Sequence, residues 1–493
     1  MRTRICHCIC LSLICLAASL PALGSYGIYV GRNLTADGST FLGGSGDEVS
    51  SHWLEIVPAA DHEPGSTIRV GVDASAFLPG EFIEIPQVAH TYRYITMNYS
   101  EYEGFPPPLT NGGLNENGVA ARDIWMDSRP ELVAMTPRPQ HGPNYSDLAR
   151  IVMERAHSAE EAARLVGDLI DRYGYSSYGG NSHMFADAKE GWVLLDFAGG
   201  KGLWIARRLG PDEVVMFYPG YMGDIPLDFQ DDPDYMGSSN FISFAVEQGW
   251  YDPKSGKPFN VTEVYGTPYV RSPRRELETE LHDTAPITLR RMLDTVRDPR
   301  MSKDATGYGQ VAHLRPDTPA DLQTLWVAPT GSVTAPFIPW RMGVQSVPPE
   351  YGKHRYLTKG TSRGYLTRDW QLQEATLFAG RLFKRLMYFT CDRPREFLPE
   401  VTATLTAFEN RMLDETSWVE ESAGVLDGAG RSDLAHAMLT RYTHDRAAEA
   451  LQLGSDLLAG IEARTRMLYG IRKPQGDEMT KLDYQMITCK EEQ

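Results

Sequence analysis

The sequence is poor in cysteine, and most of its cysteines lie close to one end. Four of the six fall within the first fifteen residues, and the other two are Cys391 and Cys489. So little cysteine in the remainder excludes a disulfide-rich scaffold, and no pair of cysteines or histidines has the spacing of a zinc site. Cys391 and Cys489 either form one disulfide that ties down the C-terminal tail or are two separate thiols.

The chain is also short of positive charge. It has 48 lysines and arginines against 65 aspartates and glutamates, which gives a net charge of -17. Nucleic acids and anionic membrane surfaces repel such a protein, so we expect neither as a partner. Standard catalytic motifs are missing as well: the sequence has no HExxH, no phosphate-binding Walker loop and no dinucleotide fingerprint after a strand.

Long apolar runs are absent except at residues 5–20. This run is too short to span a bilayer comfortably; two arginines precede it, and a proline and small residues follow it up to Gly24. We expect a secretory signal peptide that is cut after Gly24, a mature chain that begins with Ser25, and a secreted or periplasmic location. Loss of the two arginines would change the net charge from -17 to -19. A retained membrane anchor is the alternative.

From Ser25 onward the pattern runs from strands to helices and back to strands. Residues 26–32 and 40–42 flank an Asp-Gly turn and predict a hairpin, with further strands at 52–57, 67–72, 91–97 and 118–124. Helices are predicted at 145–156 and from Ser158 to Gly174, with Glu161 completing a capping box. Strands follow at 182–187, 192–197, 203–208 and 213–217. This order predicts two sheets covered by helices.

The remainder divides into an irregular stretch and a helical end. Residues 218–269 are rich in Asp, Gly, Pro and Tyr and are predicted to be irregular. A helix at 287–296 and strands at 311–314 and 324–328 follow. The last predicted helices are 374–389, 398–414, 433–452 and 455–467. We therefore expect a signal peptide at 1–24, a core at 25–360 and a mainly helical part at 361–493 that packs on the core.

Two short patterns resemble functional motifs but lack the necessary context. The sequence GTSRG at 360–364 matches the GxSxG elbow of hydrolases, yet no apolar strand precedes it and no helix signal follows it. The acidic stretch at 223–237 lacks the periodic ligand spacing of a calcium loop, so a solvated acidic loop is the better interpretation.

Ser25 is the main catalytic candidate. A serine that starts a mature chain carries a free α-amine, whose pKa of about 8 lets it accept the proton of its own hydroxyl. One residue then supplies both nucleophile and base. The mechanism needs accurate processing and a strand directly after the nucleophile, and the sequence SYGIYVG is compatible with both. The alternative is that Ser25 is only the small residue that commonly follows a signal cut.

An ordered set of segments makes the chain resemble the dipeptidase A family of N-terminal nucleophile hydrolases, relatives of penicillin V acylase and bile salt hydrolase. The segments are IYVGRNLTADGST after Ser25, then TYRYI, GGLNENGVA at 112–120, FADAKEGWVLLD at 185–196, EQGWYDP at 247–253, HLRPDTP and LWVAPTG. The resemblance extends over nearly the whole chain after residue 24.

The resemblance implies an α+β fold, namely a four-layered αββα N-terminal nucleophile hydrolase sandwich with a helical C-terminal extension. It implies hydrolysis of an amide in a small peptide or an N-acyl amino acid, with no metal and no organic cofactor. Ser25 takes the nucleophile position, and Asp47 matches the aspartate that holds the α-amine. Asn115 matches an asparagine that either supports the site or donates to the oxyanion.

The resemblance also implies a site arginine. Three arginines lie in the corresponding region, Arg271, Arg274 and Arg275. We choose Arg274 as the candidate, and surface charge is the alternative for all three.

The chain departs from the family at two positions. Ser25 stands where the family has cysteine, and a hydroxyl is far less ionised than a thiol, so it depends more on its base and on oxyanion donors. Gly44 stands where the family usually has an arginine. Two functions therefore remain open: a secreted amide hydrolase, or a catalytically degenerate member that binds peptides or acyl compounds. A homo-oligomer is compatible with both.

Overall fold

The computed structural model describes residues 25–47, 52–100, 102–217, 222–267, 274–354, 368–471 and 488–489. The predicted signal peptide at 1–24 and the GTSRG segment lie outside these residues. The strands are β1 Tyr26–Val30, β2 Thr40–Asp47, β3 His52–Val57, β4 Ala60–Asp61, β5 Thr67–Val70, β6 Ile83–Pro86, β7 His90–Thr91, β8 Tyr94–Tyr99, β9 Leu109–Asn115, β10 Ala120–Trp125, β11 Gly180–Ala186, β12 Gly191–Phe197, β13 Trp204–Leu209, β14 Val214–Phe217, β15 Asp224–Ile225, β16 Tyr235–Gly237, β17 Phe259–Asn260, β18 Thr306–Leu314, β19 Thr324–Ala328 and β20 Ile338–Arg341. The α-helices are α1 Pro130–Met135, α2 Tyr145–Arg155, α3 Ala159–Tyr173, α4 Phe241–Glu247, α5 Val261–Tyr265, α6 Arg274–His282, α7 Leu289–Val296, α8 Arg368–Ala375, α9 Ala379–Asp392, α10 Pro394–Gly428 and α11 Ser432–Tyr469.

Most strands belong to two sheets. The first sheet has the order β14-β1-β2-β18-β19-β20, and the second has the order β16-β13-β12-β11-β10-β9-β8-β3. Neighbouring strands in both sheets run antiparallel. The hairpin of β1 and β2 lies inside the first sheet, between β14 and β18. The strand that follows Ser25 is therefore held by hydrogen bonds along both of its edges.

The two sheets pack face to face, and helices cover their outer faces. Strands β1 and β2 contact β10 and β11 across the sheet interface, α2 and α3 pack on the second sheet, and α6 and α7 pack on the first. Alternate residues of β12 show the two environments: Val193 belongs to the core between the sheets, whereas Trp192 and Leu194 belong to the core under α2 and α3. Burial on both faces explains why residues 192–195 of this strand are all apolar. The expected αββα sandwich is confirmed.

The first hairpin confirms its sequence signal. Tyr26 pairs with Ser45 and Gly27 pairs with Gly44, so the beginning of β1 lies beside the end of β2. In the turn, the Asp37 carboxylate accepts hydrogen bonds from the backbone N–H and the hydroxyl of Ser39, at 3.1 and 2.5 Å. The return strand begins at Thr40, as predicted, and continues to Asp47.

The C-terminal region is helical, as expected, and its last two helices are longer than predicted, whereas the helix predicted at 374–389 is interrupted between α8 and α9. The two helices predicted at 433–452 and 455–467 are one helix, α11, and the predicted break between them was wrong. Gly454 lies inside α11 because it packs on α9: a Cβ at this position would be 2.5 Å from a ring carbon of Phe383. The glycine marks a close helix contact and not a helix end.

Two further predictions needed correction. Residues 218–269 are not wholly irregular, because they contain α4 and α5, whose buried faces pack in the apolar core. The Ser158 side chain does cap α3 by accepting from the N–H of Glu161 at 3.1 Å, but the Glu161 carboxylate accepts instead from the N–H of His157 at 2.8 Å. The reciprocal half of the capping box is thus missing there.

The last described residues are tied to the helical region. Cys391 at the end of α9 forms a disulfide with Cys489, and Thr488 makes a β-bridge with Lys303. The disulfide answers the question that the sequence left open. Among the described residues, no helix combines the length and the apolar character that crossing a membrane requires.

Candidate active site

Ser25 lies at the beginning of β1, and the structure brings it to the end of β2. Its Oγ accepts a hydrogen bond from the backbone N–H of Asp47 at 3.1 Å, and only 5% of the residue is exposed. The pairing of Tyr26 with Ser45 produces this contact, because it places residues just before β1 next to residues at the end of β2. The structure therefore brings Ser25 and Asp47 together.

The carboxylate of Asp47 is held by residues at the beginning of β18 and just before it. Lys303 Nζ lies 2.7 Å from Asp47 Oδ2, and the Thr306 hydroxyl donates to Asp47 Oδ1 at 2.9 Å. Both side chains of the ion pair are buried, and Thr306 is the register partner of Asp47 in β18. A buried carboxylate needs such partners to remain charged. No local sequence pattern indicates a role for Lys303 or Thr306.

A second lysine lies behind this ion pair. Lys384 of α9 is buried, and its Nζ donates to the carbonyl oxygens of Asp304 and, at 3.0 Å, Thr306. Burial lowers the pKa of Lys384 to about 8, while the nearby carboxylates of Asp304 and Asp47 act in the opposite direction. The helical C-terminal region thus contributes a cation to the surroundings of Asp47.

Arg122 brings a third cation to the site from the opposite sheet. The side chain is fully buried on β10, and its Nε donates to the carbonyl oxygen of Tyr26 at 3.2 Å. Its other nitrogens donate to the carbonyl oxygen of Ser45 and to the hydroxyl of Tyr308. Tyr26 and Ser45 are register partners, so one guanidinium joins the two strands directly beside Ser25.

Two glycines are required by the packing of this site. Gly44 has φ of +149°, and a Cβ at this position would be 2.0 Å from the carbonyl oxygen of Tyr26. A Cβ at Gly307 would be 2.0 Å from a ring carbon of His52. The backbone around Gly44 therefore has no room for the arginine that the family usually has there.

A small recess lies beside His52. His52, whose ring centroid lies 5.3 Å from that of Tyr308, lines it together with Leu54, Met97 and Phe378. Its volume is about 10 Å³, which is room for about one water molecule. The described residues thus leave little free space here.

Asn115 lies elsewhere, at the end of β9. Its amide nitrogen donates to the carbonyl oxygens of Met153 and Ala156 near the end of α2, at 3.2 and 2.9 Å. Its Oδ1 accepts from the N–H groups of Asn117 and Val119 at 3.1 and 3.0 Å. These four contacts use the whole amide, which favours the supporting role over the oxyanion role.

The candidate arginines are only partly described. Arg271 lies outside the described residues, Arg274 is the first residue of α6 with no described side chain, and Arg275 is exposed. The expected role of Arg274 stays a prediction.

Comparison with known proteins identifies similar sequences. The sequence model of peptidase family C69 matches residues 26–274. A probable dipeptidase of Salmonella dublin is 27% identical over 243 residues, which are 48% of this chain and 52% of that protein. A probable dipeptidase of Latilactobacillus sakei is 24% identical over 245 residues, 48% of this chain and 47% of that protein. The chain thus spans about half the length of the curated relatives it matches.

Two further similarities are weaker. Dipeptidase A of Lactobacillus helveticus is 26% identical over 163 residues, which are 32% of this chain and 33% of that protein. A crystal structure of a mutant conjugated bile acid hydrolase from Clostridium perfringens has 11% sequence identity and a TM-score of 0.33, and the match covers 65% of this chain and 93% of that one.

Proposed function

The chain belongs to peptidase family C69, the dipeptidase A family, and from that premise we propose that it hydrolyses dipeptides or N-acyl amino acids with Ser25 as the nucleophile. The observation that carries this proposal is the contact between Ser25 Oγ and the backbone N–H of Asp47 at 3.1 Å, beside a buried carboxylate that Lys303 neutralises. A hydroxyl fixed in this way is ordered before substrate binds, which reduces the entropic cost of attack.

The proposed reaction begins with cleavage of the chain before Ser25. The free α-amine takes the hydroxyl proton, Oγ attacks the carbonyl carbon of the substrate amide, and an oxyanion forms. Collapse of this intermediate breaks the C–N bond, and the leaving amine takes the proton from the α-ammonium. Water then hydrolyses the acyl ester on Ser25 in the same way, and the α-amine again serves as the base.

The three buried cations support this chemistry electrostatically. Lys303 pairs with Asp47, Lys384 lies near the carboxylates of Asp304 and Asp47, and Arg122 bonds the strands beside Ser25. Excess positive charge in a dry site disfavours the protonated α-amine and favours the oxyanion. Arg122 supplies charge on the inner side of β1 and β2, where Gly44 has no side chain.

We propose in addition that residues 1–24 are a signal peptide and that the protein is exported. The motivation is the apolar run at 5–20 with small residues before Ser25. The disulfide between Cys391 and Cys489 supports an oxidising compartment.

The test is release of free amino acids from a panel of dipeptides and N-acyl amino acids. Ser25→Ala removes only the nucleophilic oxygen and should abolish turnover, whereas Ser25→Cys should keep at least part of it. Ser182→Ala is the matched control. It removes a buried hydroxyl in the second sheet, which donates to the Ile124 carbonyl oxygen of the neighbouring strand. Activity of the wild type should rise as the α-amine loses its proton, at or below about pH 8, because the nearby cations disfavour the protonated amine.

The second candidate function is binding without cleavage, and the glycine at position 44 favours it. If the wild type and Ser25→Cys cleave nothing on the panel while ligands still bind, this second function replaces the first. If Ser25→Ala is as active as the wild type, the serine mechanism is wrong.

A further inference from the structure

Strand β18 pairs irregularly with β2 beside the candidate active site. Thr306 is opposite Asp47, but the next residue to pair, Tyr308, is opposite Gly46. Two steps along β18 therefore correspond to one step along β2, and Gly307 is the extra residue of a β-bulge. A bulge changes the direction in which the neighbouring side chains point.

The bulge turns two site residues toward opposite faces of the first sheet. Residues two apart in a regular strand share a face, so Thr306 and Tyr308 would otherwise point the same way. Asp47 is on the same face of β2 as Gly43, whose Cβ position lies against α7, and the Thr306 hydroxyl reaches Asp47 Oδ1 at 2.9 Å. The Tyr308 hydroxyl instead accepts a hydrogen bond from Arg122 of the second sheet. The bulge thus lets one strand contact both the carboxylate and the guanidinium.

The ring of His52, the first residue of β3, lies against the bulge. A Cβ at Gly307 would be 2.0, 2.2 and 2.5 Å from Cε1, Nδ1 and Nε2 of His52. The ring is buried and packs against Tyr99, its register partner in β8, and against Tyr308, with centroid distances of 5.3 Å to both. In a close-packed interior, a ring with neighbours on these sides has little room to move away from the glycine.

We propose that His52 is a positioning residue of the candidate active site. By packing on Gly307, its ring keeps the bulge in the form that directs the Thr306 hydroxyl to Asp47. The same bulge presents the Tyr308 hydroxyl to the site arginine. The effect on kcat rests on the proposed function, in which Asp47 holds the nucleophile through its backbone N–H, whereas the effect on the hydrogen bond does not.

The first measurement does not depend on activity. Thr306→Val removes the hydroxyl that donates to Asp47, and it should lower the urea midpoint of the mature chain. In the background of His52→Ala this loss should be at most half as large, because the hydroxyl is no longer directed at the carboxylate. In the background of His52→Phe, which keeps a flat ring, the loss should stay as in the wild type. Phe185→Ala is the control background: it removes a buried ring from the core under α2 and α3, and there the loss should be undiminished.

The second measurement is turnover on the panel of dipeptides and N-acyl amino acids. A displaced nucleophile impairs the reaction more than substrate binding, so His52→Ala should lower kcat at least tenfold with little change in KM. His52→Phe should keep kcat within about threefold of the wild type, and Phe185→Ala should leave kcat of the folded enzyme unchanged. Gly307→Ala places a methyl group against the ring, so it should reproduce both effects of His52→Ala and replaces it if that variant does not fold.

The two measurements separate this proposal from the proposed function. If the wild type cleaves nothing, the proposed function fails, and the unfolding comparison still decides whether His52 holds the bulge. An equal loss from Thr306→Val in the wild type and in both the His52→Ala and Gly307→Ala backgrounds overturns the positioning of Thr306. An unchanged kcat in folded His52→Ala, with an active wild type, overturns a role of His52 in the reaction.

Discussion

At the scale of single residues, Arg122 joins the two strands that position Ser25. Its guanidinium donates to the carbonyl oxygens of Tyr26 and Ser45, and a methionine cannot replace these bonds. Arg122→Met should therefore destabilise the fold by about 2 kcal/mol through unpaired buried carbonyls. It should also lower kcat at least tenfold with little change in KM, because the nucleophile loses its position and a nearby charge.

Matched variants separate these two effects. Arg122→Lys keeps the charge without the fork of donors, so we expect an intermediate kcat. Arg297→Met removes a buried arginine that bonds Glu409, away from Ser25, and it should cost stability while kcat of the folded enzyme stays unchanged. Equal kcat in Arg122→Met and the wild type would refute a positioning role for Arg122.

Lys384 makes stability depend on pH. Its pKa is about 8 in the folded protein, lowered by burial, and about 10.4 in the unfolded chain. Between these values the unfolded chain binds more protons than the folded one, so the free energy of unfolding from this group rises with pH from about 8 to 10 and is constant below. The total change is roughly 3 kcal/mol.

Urea unfolding at pH 7 and at pH 10 measures this effect. Lys384→Met removes the titrating group, so the rise between the two pH values should be smaller in the variant than in the wild type. An identical rise in both proteins would show that Lys384 is not the group responsible.

The sequence predicts Ser25 and Asp47 correctly as neighbours, because an Asp-Gly turn between two strands defines which strand ends meet. It does not predict Lys303 or Arg122. Each comes from a strand or loop far along the chain, and no local spacing relates it to Ser25. An arginine within a predicted strand, at 118–124, is the signal that could have indicated a buried functional cation.

At the scale of elements, the contact between α9 and α11 depends on a missing side chain. Gly454→Ala would place a Cβ 2.5 Å from the buried ring of Phe383, and we expect a loss of about 1–3 kcal/mol from overpacking. Gly460 lies in the same helix with no atom within 4 Å of its Cβ position, so Gly460→Ala should gain up to about 1 kcal/mol from helix propensity.

Thermal unfolding of the two alanine variants provides the comparison. The account predicts that the midpoint temperature falls for Gly454→Ala and rises for Gly460→Ala. If the midpoint temperatures of both variants shift in the same direction, the close packing of α9 on α11 does not explain the glycine at position 454.

The periodic elements are predicted well, and their ends less so. Alternation and turn residues identify β3 and β19 with the bounds that the structure has. The predicted break within α11 contains Gly454, and the reason for this glycine is a tertiary contact with Phe383 that helix propensity does not include. Likewise α4 and α5 are short, and they are helical because their apolar faces pack in the core.

At the scale of the whole molecule, the disulfide connects the last described residues to the candidate active site. Cys489 follows Thr488, which bridges to Lys303, and Lys303 neutralises Asp47. The bond between Cys391 and Cys489 closes a segment with a sequence separation of 98. Because the disulfide restricts the unfolded chain, its removal should lower the free energy of unfolding by about 4 to 5 kcal/mol.

Cys489→Ser should therefore lower the midpoint of urea unfolding and also reduce activity under conditions where the variant is folded. Reduction of the wild type should reproduce both effects, and reduction of the variant should add nothing. Unchanged activity in folded Cys489→Ser would show that the disulfide does not affect the candidate site.

The αββα architecture follows from the order of strands and helices and from the family resemblance, and the structure has it. The order of strands and helices does not predict how the two sheets pack on each other. This packing allows Arg122 of the second sheet to reach the carbonyl oxygen of Tyr26 in the first sheet.

The central claim is that Ser25 is both the first residue of the mature protein and the residue that carries the acyl group. Mass spectrometry of the secreted protein, acid-quenched during turnover of an N-acyl amino acid and then digested, tests both parts at once. The account predicts an N-terminal peptide that begins with Ser25, and a fraction of that peptide with the added mass of the acyl group on the serine. A mature chain that begins at another residue, or an acyl group on a different side chain, would contradict it.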